Sequence, residues 1–114
     1  MTPTSDNPVA LTSAQLALIR RIVAKRLPDA TVRIFGSRAR AKAKPHSDLD
    51  LLVESDAPLT LRQRRLLADD FDESPLPFRV DIVEYAELNN SFAASILARS
   101  APLAMAKPVD EASR

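Results

Sequence analysis

Cysteine is absent from the sequence. That excludes a disulfide framework, a thiolate zinc site and a cysteine nucleophile, and it suits the reducing cytosol. Tryptophan is also absent, and tyrosine, histidine and glycine each occur once. Aromatic residues make up 4% of the chain, too few for the stacking platforms that hold single-stranded nucleic acid. No uninterrupted apolar run approaches the roughly 18 residues of a membrane-spanning helix. The polar opening Met1-Thr-Pro-Thr-Ser-Asp-Asn-Pro lacks the charged-then-apolar order of a secretory signal. The expectation is a cytoplasmic protein that does not enter a membrane.

What is there suits one compact domain: 114 residues, 46% of them hydrophobic, enough for a core and too short for two. Net charge is +1, unevenly spread. Residues 1–47 carry nine Lys/Arg and two acids, whereas residues 48–114 carry seven Lys/Arg and thirteen acids. A basic half beside an acidic half suits a site that takes polyphosphate on one side and cations on the other. Ordinary solvated faces would account for most single charges as well.

Thr12 with Gln15 forms a capping-box sequence, and Leu16, Ile19, Val23 and Leu27 follow at helical spacing until Pro28. Thr31–Phe35 is β-branched and aromatic, a strand ending at Gly36. Ser37–Ala43 reads as a short helix, and Asp48–Glu54 as a second strand. Thr60 and Gln63 open another helix, which runs to about Ser74. Phe78–Tyr85 alternates as a third strand. Asn89 or Asn90 caps a last helix ending before Pro102, and Leu103–Met105 offers an edge strand. The order gives an α/β (α+β) domain over 11–105, with three or four strands flanked by helices. Residues 1–10 and 106–114 read as flexible ends.

The lone glycine sits where the first strand ends, and glycine is needed where backbone takes positive φ or another group approaches closely. A helix start there, with the Ser37 hydroxyl, would make a phosphate site. The aspartates strengthen this reading. Asp48 and Asp50, at i and i+2 on a strand, share one face. Asp81 interrupts Val80, Ile82 and Val83. Aspartate suits strands poorly, so three of them need a reason, and a hard divalent cation supplies one. If the second and third strands are neighbours, all three carboxylates converge at the sheet's end. Together they form a ligand set for one or two Mg²⁺ ions.

Phe35-Gly36-Ser37-Arg38-Ala39-Arg40, then Asp48-Leu49-Asp50-Leu51-Leu52-Val53 after a ten-residue gap from Ser37, resembles the signature of the polymerase-beta-like nucleotidyltransferase superfamily. Within it the resemblance is to minimal nucleotidyltransferases, short prokaryotic proteins often encoded beside a HEPN-domain protein. It spans about residues 13–105. It implies a mixed sheet, ATP or another NTP bound at Gly36, Ser37, Arg38 and Arg40, and Mg²⁺ held by Asp48 and Asp50, with Asp81 as third carboxylate. Ala41 departs from the family's usual glycine, which puts the shape of the loop from Arg40 to Pro45 in question.

The implied activity is Mg²⁺-dependent transfer of a nucleoside monophosphate, AMP by preference, with release of pyrophosphate. Asp48, Asp50 and Asp81 are its catalytic and metal-binding candidates. Arg38, Arg40, Lys42 and Lys44 are candidates to neutralise phosphate charge. The chain leaves no residues for a separate acceptor domain, so a partner or a second copy would supply the acceptor. By resemblance the partner is a HEPN toxin, modified on a hydroxyl and neutralised by this chain as antitoxin. The alternative is a non-catalytic module that neutralises its partner by contact. A nucleic-acid-directed transferase is disfavoured by the balanced charge and few aromatics. His46 reads as a surface residue, Tyr85 as strand-end packing, and Arg62, Arg64 and Arg65 as a solvated helix face.

Overall fold

The structure is a computed structural model that describes residues 8–40 and 43–109. Helix α1 spans Ser13–Arg26, strand β1 Thr31–Phe35, β2 Leu49–Glu54 and helix α2 Leu61–Asp72. Strand β3 spans Val80–Glu84, helix α3 Asn90–Ala98 and strand β4 Ala101–Pro102. Single 3-10 turns occupy Gly36–Ala39, Tyr85–Glu87 and Leu103–Met105. The strands lie in the order β3-β2-β1-β4. β1 is antiparallel to β2 and β4, while β2 and β3 are parallel, so the sheet is mixed.

Local chemistry explains the helix starts. The Thr12 side chain accepts from the Gln15 backbone N–H at 3.1 Å, and Gln15 accepts from the Thr12 N–H at 3.0 Å. Thr60 and Gln63 repeat the box at 3.0 and 2.8 Å. Asn89 caps α3 through the Phe92 N–H at 2.8 Å. Each cap satisfies backbone donors that a helix leaves unpaired in its first turn.

Alternation in the strands divides the sheet into two faces. Val32 and Ile34 of β1 and Leu49, Leu51 and Val53 of β2 pack with Leu16, Ile19, Ile22 and Val23 of α1 and with Leu67 and Phe71 of α2. Arg26 joins the two helices through a two-pronged pair with Asp70 at 2.6 and 3.0 Å. That hydrogen bond holds the Asp70 carboxyl below its ordinary range. Asp50 points to the sheet's other face, and register places it there.

Several expectations shift. The second strand begins at Leu49, so Asp48 stands at its mouth rather than within it, and the third strand is shorter than Phe78–Tyr85. The edge strand is Ala101–Pro102, with Leu103–Met105 turning as 3-10. Arg20 explains that turn: its guanidinium donates to the Leu103 and Ala106 carbonyls at 3.0 and 2.7 Å and ties it to α1. The packed fold also extends past both bounds read from sequence, 11 and 105. Val9 is fully buried and bridges to Pro108, and the Val109 N–H reaches the Leu11 carbonyl at 3.0 Å. Burying Val9 and Ala106 beside Leu11 is what recruits those segments. Arg64 is no solvated residue either: it pairs with Glu84, whose other oxygen accepts the Leu59 N–H at 2.8 Å. The interface of α2 with β3 needed that ion pair, because Glu84 is buried.

Candidate functional site at the end of the sheet

Gly36 has φ +76, and among the described residues it alone has positive φ. An added Cβ would overlap the Asp50 carboxylate oxygen and lie 3.3 Å from Asp50 Cγ. Two constraints therefore fall on one position: left-handed backbone and a side chain pressed against the Cα. The helix expected over Ser37–Ala43 is a four-residue 3-10 turn, Gly36–Ala39. So short a turn has little dipole, and a phosphate there depends on backbone N–H groups and side chains. Ser37 is exposed beside Gly36 and free to contribute.

Register brings the acids to the same place. Asp50 pairs with Phe35 across the β1–β2 ladder and with Asp81 across the β2–β3 ladder. Partners on adjacent strands sit about 4.8 Å apart on one face, so Asp50 and Asp81 are side by side. Asp48, exposed, precedes Asp50 by two residues. Burial first, then the charges of Asp81 and Asp48, raises the Asp50 carboxyl above its ordinary value. Three acids gathered here, with the cost falling on the Asp50 carboxylate, form a site with surplus negative charge.

Among the described residues no three carboxylate or imidazole side chains close into a finished metal cage. The donor set is open and consists of hard oxygen ligands. Mg²⁺ commonly binds through one or two carboxylates, with water and substrate phosphates completing its octahedron. The acids present fit that ion.

Arg38 departs from the sequence reading. It is 3% exposed, and its guanidinium is committed to the fold. Nε donates to the Ser47 carbonyl at 2.9 Å, Nη1 to Ala10 at 2.5 Å, and Nη2 to Lys44 and Pro45 at 3.2 and 2.8 Å. The Phe78 ring covers it, with the centroid 3.9 Å from Cζ. With four of its five N–H donors taken by carbonyls and its head buried, Arg38 serves the fold rather than a nucleotide. It holds the loop that delivers Asp48 and, through Phe78, the approach to β3. Lys44 contributes its carbonyl to this clamp. His46 is exposed, with Nδ1 3.2 Å from the Pro77 carbonyl. Ala41 and Lys42 lie outside the described residues.

Arg40 stays exposed, as expected of a phosphate ligand. It lines a cleft of about 400 Å³ with Gly36, Ser37 and Arg99. Arg99 was invisible in the sequence. It follows α3 as an isolated basic residue, and only the pairing of a two-residue strand with β1 brings it here.

The comparisons with known proteins agree with this geometry. The probable protein adenylyltransferase MntA of Haemophilus influenzae is 42% identical over 89 residues, covering 78% of each chain. A crystal structure of a toxin–antitoxin with AMP-PNP superposes with a TM-score of 0.65 at 19% identity, over 86% of this chain and 77% of that one. A tri-AMPylated Shewanella oneidensis HEPN toxin in complex with MNT antitoxin gives 0.58 at 18% identity, over 86% and 73%. The two structures share the fold. A family model for the nucleotidyltransferase domain matches residues 16–104, from the first core leucine of α1 to the turn after β4, and the chain belongs to that family.

Proposed function

We propose that the chain is a Mg²⁺-dependent adenylyltransferase that moves AMP from ATP to a hydroxyl of a HEPN-type toxin, acting as its antitoxin. The observation that carries this reading is the Gly36 turn, where a positive-φ backbone meets the Asp50 carboxylate. A phosphate contact and a carboxylate cluster thereby share one residue. The relative named as an adenylyltransferase and the neighbour with an AMPylated HEPN partner support the acceptor class. The absence of cysteine from the sequence suits action in the cytoplasm.

In this reading Asp48 and Asp50 hold the cation, with Asp81 as third carboxylate. Bound there, Mg²⁺ would neutralise phosphate charge and polarise the phosphoryl oxygens. The chain's own residues do the positioning. The Gly36 and Ser37 backbone and the Ser37 hydroxyl bind phosphate oxygens, and Arg40 offsets their charge. Asp81 faces the reacting centre and accepts the proton of the acceptor hydroxyl. That oxygen attacks the α-phosphorus, the bond from the α-phosphorus to the bridging oxygen breaks, and pyrophosphate leaves. Catalysis rests on orientation and electrostatic complementarity.

The experiment is incubation with α-labelled ATP, Mg²⁺ and a HEPN-domain protein as candidate partner. Label is expected on the partner, and Asp48→Asn with Asp50→Asn should remove it. Labelling undiminished in the double variant would refute the mechanism. Neutralisation without any labelling would favour inhibition by contact.

A further inference from the structure

Arg99 occupies a position the motif does not reach. Ile34 pairs with Ala101 in the antiparallel β1–β4 ladder, and continuing that register two steps, past Phe35 and Ser100, sets Arg99 opposite Gly36. The cleft of about 400 Å³ lined by Gly36, Ser37, Arg40 and Arg99 is the direct consequence. Two cations thus border a hollow whose floor is the glycine turn. Among the described residues neither arginine has an acidic partner. Like charges gathered without a counterion leave a site that an anion would stabilise.

The backbone of Arg99 is fixed while its head is not. Its N–H closes α3 on the Ile96 and Leu97 carbonyls. The next residue, Ser100, receives the Arg33 Nε on its hydroxyl at 2.5 Å and donates to Leu97 at 2.9 Å. The Arg99 side chain is exposed and has no hydrogen bond among the described residues. An anchored Cα with an uncommitted guanidinium is ready to grip a doubly charged oxygen fork.

We infer that Arg99 binds the outer phosphates of the nucleotide and, facing Arg40, gives the site its preference for a triphosphate over a monophosphate. This rests on the nucleotidyl-transfer reading and adds a specificity residue to it. The reacting phosphorus must lie beside Asp48, Asp50 and Asp81. The cleft opens from the Gly36-Ser37 turn between the two arginines, so it receives the part of the nucleotide that departs as pyrophosphate.

The test is Mg²⁺-ATP and AMP binding to the full chain with Arg99→Ala and Arg99→Lys, alongside KM and kcat for transfer. A charge-assisted contact of this kind sets the scale, so Arg99→Ala should weaken ATP roughly tenfold to a hundredfold. AMP binding should stay within about twofold, since AMP lacks the outer phosphates, and Arg99→Lys should recover part of the loss by restoring charge. Thermal melts of both variants should match the parent. ATP binding unchanged in Arg99→Ala, or ATP and AMP weakened equally, overturns the assignment. The two failures are separable. A silent Arg99→Ala beside a dead Asp48→Asn, Asp50→Asn double variant removes Arg99 alone, whereas an active double variant removes the underlying reading.

Discussion

Leu51 and Asp50 are neighbours in one strand and belong to different proteins in energetic terms. Leu51 faces α1 and α2, is fully buried, and sits in a continuous apolar cluster. Asp50 faces away, half-buried, beside Asp81 and near Asp48, with its charge disfavoured. The helix-covered face holds the sheet together. The other face can then carry a cluster of repelling carboxylates that would not sustain a fold by itself. At the mouth of the sheet, stability and chemistry are segregated by the two-residue period of a strand, while farther along Asp50's face Leu52 is buried too.

Substitutions on the two faces should therefore act in opposite directions. Leu51→Ala removes buried surface and leaves a cavity, and urea unfolding should show a loss of about 2–5 kcal/mol. A loss under about 1 kcal/mol would mean that the covered face is not the stabilising one. Arg38→Met should follow, costing about 1.5–3 kcal/mol by chemical denaturation because four carbonyls lose a charged donor. Transfer should fall with it as the loop before Asp48 loosens. A variant of parental stability would place Arg38 outside the clamp.

Asp50→Asn should move the other way by the smallest amount, a rise of about 1 kcal/mol or less, while ending transfer. The sign follows from the raised carboxyl. A group whose folded pKa lies above its unfolded value costs stability wherever it must be charged. The gain from Asn should thus be present at neutral pH and shrink as pH falls through the folded pKa toward 3.8, the unperturbed value. Thermal melts across that range, without added metal, would reveal it. A destabilised Asp50→Asn at neutral pH would contradict the segregation.

Local features were legible in the residues. Thr12 with Gln15 and Thr60 with Gln63 announced their helices, because a capping box lies within four residues. Thr31–Phe35 was found to the residue. Asp81 beside Asp50 was legible only conditionally, since it needed β2 and β3 to be adjacent. Arg38 was misread for a physical reason: no pattern reveals that a loop's carbonyls require a buried donor. Arg99 was missed because β4 has two residues, too few to show alternation. The packing of Val9 against Lys107 and Pro108 was equally hidden, arising between segments almost a hundred positions apart.

The missing side chain at Gly36 has a consequence for how a ligand is oriented. The Asp50 carboxylate lies against that residue, and Arg40 and Arg99 border the hollow it lines, so charges of opposite sign flank a single amino acid. An elongated anion with its charge concentrated at one terminus feels a torque there before any contact forms. It is turned tail-first toward the arginines, and a wrong-way approach is repelled at the threshold. Even one methyl group at this point would widen the boundary and blunt that compass.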